Sequence, residues 1–217
     1  MARQIDIPDD IQPPQKYVWA NIIRDARLSE GGRSILDIGP GRTLFPGIIA
    51  SRGNQVTAVD RLQSVLQWQA HIIRGNKVYY NLHMTDGEIL PFNDRHFDLV
   101  TACWSIANIE NGEQSPEVAY DEARRVTNHM LFTVVNFSSE GGVRQSQYSG
   151  KEKIFSVNDV QRFLDRSRKQ GFEVDRVSFL RDDGQQVNHH IAESANKSFK
   201  KGQGGPADHV FIALRRM

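Results

Sequence analysis

The sequence reads ILDIGPGRT from Ile35 to Thr43, and this stretch decides the fold. A short apolar strand delivers the carboxylate of Asp37, and a glycine turn follows at once. Gly39 and Gly41 permit backbone angles that other residues avoid and let a ligand approach the main chain closely. An Asp-x-Gly-x-Gly turn is also an ordinary connection between a strand and a helix. The surrounding sequence has to decide between these two interpretations.

Outward from this turn, the apolar pattern alternates between period 2 and period 3.6 over residues 15–181, which predicts βαβ units and a parallel sheet. The predicted strands lie at 34–38, 55–60, 77–84, 97–104, 129–137, 172–180 and 208–215. The predicted helices lie at 18–26, 44–52, 62–75, 115–126 and 156–171. Ser156 and Asp159 form a predicted capping box at the last of these helices. With neither repeat nor linker, residues 1–217 are predicted to form a single domain with an N-terminal helical segment at 1–30.

Composition restricts the class of protein. A chain of 217 residues with 39% hydrophobic and 24% charged residues is typical of one globular core. The net charge of +1 argues against a positive electrostatic potential over the whole surface, which would attract nucleic acid. The single cysteine, Cys103, excludes an internal disulfide. Because no apolar run approaches the roughly 20 residues of a membrane span and the start is polar, we predict a cytoplasmic protein without a membrane partner.

Two further carboxylates follow predicted strands. Asp60 ends the second strand, where an acidic side chain can accept hydrogen bonds from both hydroxyls of a ribose. Asp86 follows the third strand in the stretch TDGEILPF, and its carboxylate could accept from an adenine amino group. The alternatives are a solvated strand end or helix cap at Asp60 and an ordinary Asp-Gly loop at Asp86.

In this order, LDIGPG, AVD, DGEILPF and FDLV resemble the class I S-adenosylmethionine-dependent methyltransferases, especially the group that acts on small molecules. The resemblance covers roughly residues 15–137 by motif and the remainder by element order. It implies a Rossmann-like, doubly wound α/β fold with a seven-stranded mixed sheet in the order 3-2-1-4-5-7-6. The last strand is then antiparallel, and the cofactor is S-adenosyl-L-methionine.

The resemblance also implies which residues bind that cofactor. They are Asp37, Gly39, Pro40 and Gly41 around the methionine part, Asp60 at the ribose, Asp86 and Gly87 at the adenine, Arg61 and Leu62 beside the purine, and the backbone around Cys103 and Trp104 facing the sulfonium. The chain departs from the family at Thr43, where a third glycine is common. Pro40 also removes one backbone donor from the turn.

The implied activity is transfer of a methyl group to a small-molecule acceptor by in-line displacement, for which positioning supplies much of the rate. No catalytic triad is expected, and no catalytic residue is assigned. Asn108, His189 and His190 are candidates for orienting the acceptor or moving its proton, against the alternative of solvated loop residues. The stretches 138–153 and 181–207 are candidate acceptor-side loops. No metal is predicted, because no carboxylate cluster follows the fourth strand.

Three other interpretations compete with methyl transfer. A nicotinamide dehydrogenase needs a third glycine at the sixth position of the turn, where this chain has Leu44. The second is a methyltransferase-fold protein without turnover, and the third is an enzyme that transfers another group from S-adenosylmethionine. Both would bind the adenosine part of the cofactor in the same way as a methyltransferase. Nucleic-acid methylation is disfavoured, since a Pro-Pro-aromatic signature is missing after the fourth strand. Cys103 as a nucleophile and Trp104 as an acceptor platform are both disfavoured against packing roles.

Overall fold

A computed structural model describes residues 5–106, 116–138, 142–145, 151–182, 184, 186–187 and 207–217. The helices are α1 (Pro13–Asp25), α2 (Phe45–Ala50), α3 (Gln63–Asn76), α4 (Pro116–Val126) and α5 (Val157–Lys169), with a 3-10 turn at Leu28–Glu30. The strands are β1 (Ser34–Ile38), β2 (Gln55–Asp60), β3 (Asn81–Met84), β4 (Phe97–Cys103), β5 (Thr127–Asn136), β6 (Gly142–Gln145), β7 (Lys151–Ile154), β8 (Phe172–Leu180), β9 (Gln186–Val187) and β10 (His209–Arg216).

The main sheet has the order β3-β2-β1-β4-β5-β10-β8-β9. Strands β1 to β5 pair in parallel, whereas β10 runs antiparallel to both β5 and β8. With β8 and β10 as the sixth and seventh predicted strands, this is the order 3-2-1-4-5-7-6 with an antiparallel last strand. The predicted fold is therefore confirmed. The two-residue strand β9 extends the sheet beyond the prediction.

Some boundaries differ from the sequence-based expectation. The third strand is shorter than the predicted 77–84, because Lys77 has a left-handed backbone (φ 54°) that ends α3 and turns the chain. Strands β6 and β7 pair with each other as a separate hairpin within the predicted loop 138–153. Their short polar sequences carry no apolar alternation, so a pattern search for strands has nothing to detect there.

Apolar side chains form one layer on each face of the sheet. On one face, α4 and α5 bury residues such as Tyr120 and Phe163 against the sheet. On the other face, α1 and α2 bury Trp19 and Ile48. Helices on both faces are what the nearly continuous apolar sequence of β4 requires, since a strand in the middle of such a sheet has no solvated side.

Helix α5 begins at the predicted capping box. The Ser156 hydroxyl accepts from the Asp159 amide at 3.2 Å, and the Asp159 carboxylate accepts from the Ser156 amide at 2.9 Å. This reciprocal pair satisfies two amide groups that the first helical turn leaves unbonded. None of the helices in the described part of the chain is both long and apolar enough to span a bilayer.

We expect Phe132→Ala to lower the free energy of unfolding by about 3–5 kcal/mol. Phe132 is fully buried in β5 and stacks on Phe211 of β10 with ring centroids 5.9 Å apart. Tyr79→Ala is the matched control, because Tyr79 is 85% exposed, and its expected cost is below about 0.5 kcal/mol. Urea denaturation measures both. Equal effects of the two substitutions would contradict the assignment of this aromatic pair to the core.

Candidate functional site

A cleft of about 1160 Å³ opens at the edge of the sheet where the parallel strands end. It lies where the strand order reverses between β1 and β4, the place where open α/β sheets bind ligands. The start of β10 reaches the same edge because this strand runs antiparallel. All ten predicted cofactor-binding residues line this one cleft: Asp37, Gly39, Pro40, Gly41, Asp60, Arg61, Leu62, Asp86, Gly87 and Cys103.

The glycine turn is fitted tightly against the end of β4. Gly39 has φ +66°, and a Cβ built on it would lie 2.4 Å from the Cβ of Ser105. The Gly39 amide donates to the Val59 carbonyl of β2 at 2.8 Å. Steric exclusion and backbone angle thus both require glycine at this position, which is stronger evidence for a special turn than the sequence pattern alone.

Gln69 of α3 supports this turn by hydrogen bonds to its carbonyl groups, a role that the sequence analysis missed. Its amide nitrogen donates to the carbonyls of Gly41 (2.8 Å) and Thr43 (3.1 Å). Its side-chain oxygen accepts from the Tyr80 hydroxyl at 2.5 Å, and Gln69 is fully buried. The sequence does carry a signal for this role, because Gln69 is a polar residue on the apolar stripe of the helix. A buried amide needs hydrogen-bond partners for its groups.

The Asp37 carboxylate is buried beneath the turn. Its side chain accepts from the Thr101 hydroxyl of β4 at 2.6 Å, and the residue is 3% exposed. Burial raises the pKa of Asp37 to about 7, against the opposing effect of the Thr101 hydrogen bond, and the nearby charge of Asp60 raises it further. Asp37 is therefore poised between its neutral and charged forms near neutral pH.

Asp60 and Asp86 each accept from a backbone amide two residues ahead. For Asp60 the donor is Leu62 at 2.9 Å, and for Asp86 it is Glu88 at 3.0 Å. Burial raises the pKa of Asp60, and the amide groups that bond to it, with Leu62 first, oppose that rise. Both residues therefore make local contacts of the kind considered as alternatives in the sequence analysis. Both also line the cleft.

The other half of the cleft is formed by residues that the sequence analysis did not select. They are Ile11, Gln12, Pro14, Gln15, Trp19, Asn136 and His209. Ser105 also lines the cleft, three residues before the candidate Asn108. Trp104, for which packing was favoured, also lines this cleft, as do the other two tryptophans of the chain, Trp19 and Trp68. Asn108, His189 and His190 lie outside the described residues, as does most of 181–207.

Cys103 ends β4 at the cleft wall. Burial and the nearby charge of Asp37 raise the pKa of its thiol well above the usual value. A thiol that stays protonated is a poor nucleophile. Over the ranges that the structure describes, His, Cys, Asp and Glu side chains form no group of three suited to a metal ion.

Comparison with known proteins agrees with this architecture. Residues 36–130 match the family model described as "Methyltransferase domain". The ubiquinone/menaquinone biosynthesis C-methyltransferase UbiE of Vibrio parahaemolyticus is 27% identical over 122 residues, which cover 53% of this chain and 47% of that protein. The chain therefore spans about half the length of this relative.

Solved structures resemble the whole fold. An S-adenosylmethionine-dependent methyltransferase from Clostridium acetobutylicum superposes with a TM-score of 0.67 at 12% identity, covering 95% of this chain and 93% of that one. Magnesium protoporphyrin IX methyltransferase from Synechocystis, with bound SAM, gives 0.64 at 12% identity, covering 94% and 79%. The [4+2]-cyclase SpnF gives 0.62 at 19% identity, covering 89% and 80%.

The fold is that of the class I methyltransferases. The resemblance to the S-adenosylmethionine-dependent members of this class is confirmed, through the sequence match over residues 36–130 and the strand order of the whole sheet. The fold alone does not decide the reaction, since the similar SpnF structure carries the name of a cyclase.

We expect Asp37→Asn to remove a pH dependence of stability. The wild-type carboxyl has a folded pKa of about 7, whereas an unfolded aspartate titrates near about 3.9. Between these values the folded state holds one more proton than the unfolded state, so wild-type stability falls as the pH rises from about 4 to about 7. With about 1.4 kcal/mol per pH unit and proton, the loss is roughly 4 kcal/mol.

The Asn variant keeps an oxygen for the Thr101 hydroxyl and does not titrate. Its free energy of unfolding in urea is therefore expected to match wild type near pH 4.5 and to exceed it near pH 8. Asp165→Asn, at a half-exposed position on α5, is the control and is expected to follow wild type. A constant difference between Asp37→Asn and wild type from pH 4 to pH 8 would contradict the raised pKa.

Proposed function

We propose that the chain binds S-adenosyl-L-methionine in this cleft and transfers its methyl group to a small-molecule acceptor. The observation that carries the proposal is that the carboxylates at the ends of β1 and β2 and just after β3 line one cleft beside the glycine turn. The family match over residues 36–130 and the printed names of the relatives support it. One of those names specifies a porphyrin as the substrate, and the other places its protein in the biosynthesis of ubiquinone and menaquinone.

The hydrogen-bond acceptors of the cleft fit the donors of this cofactor. Its ribose hydroxyls, its adenine amino group and its ammonium group are hydrogen-bond donors, and the three carboxylates supply acceptors. We assign Asp60 to the ribose, with Arg61 and Leu62 beside the purine, and Asp86 with Gly87 to the adenine. The remaining predicted residues, Asp37, Gly39, Pro40, Gly41 and Cys103, are assigned to the methionine and sulfonium end.

The protein's own contribution to the reaction is positioning. The bound cofactor supplies an electrophilic methyl group, so the chain has to hold an acceptor atom in line with it and keep water out. Asp37 is suited to hold an ammonium group, since a neighbouring cation stabilises its charged form. Uncharged hydrogen-bonding groups for the acceptor are offered by Ser105 and Asn136, by Gln15 of α1 and by Gln12 at the N-cap of that helix.

The acceptor-side loops 138–153 and 181–207 remain part of this proposal, as do the acceptor-facing roles of Asn108, His189 and His190. We also propose a cytoplasmic location, which suits a chain whose single thiol has no internal partner for a disulfide. A mobile small-molecule acceptor is favoured over nucleic acid, because the net charge of the chain is only +1.

Transfer of tritium from methyl-labelled S-adenosylmethionine into the small-molecule fraction of a cell extract tests the activity. The expected result is protein-dependent labelling that S-adenosylhomocysteine suppresses. Cofactor binding without labelling of any fraction would instead favour a binding protein or a different group transfer, the alternative to which the SpnF likeness draws attention.

We expect Asp60→Ala to weaken binding of S-adenosylhomocysteine at least tenfold, because the ribose hydroxyls lose their shared acceptor. A tenfold loss corresponds to about 1.4 kcal/mol, within the range of one charge-assisted hydrogen bond. Isothermal titration calorimetry measures the affinity, and circular dichroism checks the fold.

Asp165→Ala is the matched control, since this acid lies half-exposed on α5 and pairs with Arg168. Its affinity is expected to equal that of wild type. Unchanged affinity in Asp60→Ala would remove the ribose assignment.

A further inference from the structure

Three side chains form a hydrogen-bonded chain along the half of the cleft opposite the carboxylates. The indole nitrogen of Trp104 donates to Nδ1 of His209 at 3.2 Å. Nε2 of His209 lies 2.9 Å from the Asp182 carboxylate. Trp104 and His209 both line the cleft, whereas Asp182 stands behind them with its side chain 82% exposed.

The partners of His209 decide which of its nitrogens carries the proton. An indole N–H only donates, so Nδ1 has to accept and carries no hydrogen. In the neutral imidazole the proton therefore sits on Nε2, where it donates to Asp182. This assignment follows from the donor inventory of the two neighbours and does not depend on observing hydrogens.

Trp104 is held in a conformation that needs external support. Its backbone lies in the left-handed region at φ 54°, which costs a non-glycine residue about 1–2 kcal/mol. Its amide donates to the Val134 carbonyl at 2.9 Å, and its ring meets the His209 ring edge-on with centroids 5.6 Å apart at 89°. His209 thus fixes the indole both by a hydrogen bond and by ring packing.

Asp182 is itself fixed to the strand that carries His209. Its amide donates to the Asp208 carboxylate at 3.0 Å, and the Asp208 amide donates to the Leu180 carbonyl at 2.8 Å. Among the described residues, Asp182 is the charged group in direct contact with the imidazole, and Asp208, which accepts from the Asp182 amide, is the next acid along this network. From β5 the register neighbour is Asn136, which is neutral.

We propose that His209 is a positioning residue: in its neutral form, supported by Asp182, it holds the Trp104 indole as the wall against which the acceptor is placed. The effect of His209 on turnover rests on the proposed function, whereas the contact between His209 and Trp104 does not. On protonation Nδ1 becomes a donor and faces the indole N–H, which is also a donor, so the contact that holds Trp104 is lost.

The contact is tested first without any ligand, by NMR of protein labelled with ¹⁵N-tryptophan. The chain has three tryptophans, so three indole N–H signals are expected, and Trp104→Phe assigns the one that disappears. We expect the Trp104 signal to shift in a single transition within roughly pH 5–8, where imidazoles titrate. The signals of Trp19 and Trp68 are expected to lack this transition.

His209→Asn keeps an acceptor near the position of Nδ1 but does not titrate, so the Trp104 transition is expected to vanish. His129→Asn is the matched control, because His129 lies 59% exposed at the far end of β5 beside Asp98, and it should leave the transition intact. A Trp104 signal that does not titrate in wild type, or that still titrates in His209→Asn, overturns the proposal.

Turnover and binding test the positioning role. In the labelled-methyl assay at saturating S-adenosylmethionine, His209→Ala is expected to lower the initial rate of labelling at least tenfold while the affinity for S-adenosylhomocysteine changes less than twofold. The wild-type rate is expected to fall at acid pH, where protonated His209 no longer accepts from the indole. His209→Asn is expected to recover most of the loss at pH 8 and to lack this fall. A loss of S-adenosylhomocysteine affinity in His209→Ala as large as that in Asp60→Ala, or an unchanged rate of labelling in His209→Ala, overturns the positioning role.

The two proposals fail separately. If wild type binds no S-adenosylhomocysteine, the proposed function fails, while the Trp104 titration still decides whether His209 holds the indole. If wild type binds the probe and the titration is absent, the cofactor assignment stands and the role of His209 falls.

Discussion

The contact between Gly39 and Ser105 is the constraint on which the site depends. A Cβ at position 39 would stand 2.4 Å from the Cβ of Ser105, so the turn after β1 packs against the loop after β4 too closely for any side chain at position 39. The Thr101 hydroxyl ties the same two strands together through the buried carboxylate of Asp37. The cleft opens at this junction because the chain leaves the sheet toward opposite sides after β1 and β4, as at any switch point of a doubly wound sheet.

This junction also sets the electrostatics of the cleft. Burial raises the pKa of both Asp37 and Asp60, and each amide or hydroxyl that bonds to them only partly offsets the loss of water. A sheet edge built in this way favours a ligand that brings hydrogen-bond donors or positive charge. The carboxylates are therefore costly to the free protein and useful for binding, which is a common compromise at functional sites.

The two halves of the cleft differ in how the chain assembles them. The carboxylate half comes from consecutive strand ends, β1 to β3, with Gln69 and Tyr80 supporting the turn from the adjacent helix and loop. The opposite half joins α1, the end of β4 and the start of β10, which lie far apart in sequence. A chain can change the second half without disturbing the first, which explains how one fold serves different substrates.

The sequence by itself determined the fold and the carboxylate half. Period-2 and period-3.6 patterns are local, and the signals at Asp37, Gly39 and Asp60 each lie where a strand ends, so their meeting at one sheet edge follows from parallel pairing. Only the tertiary structure decided that His209 lines the cleft and holds the Trp104 indole, that Asp182 stands behind these two side chains, and that Gln69 supports the glycine turn. Those contacts join residues up to 105 positions apart, and the antiparallel β10 brings His209 to this edge. No local pattern records such pairings, because they depend on the register between distant strands.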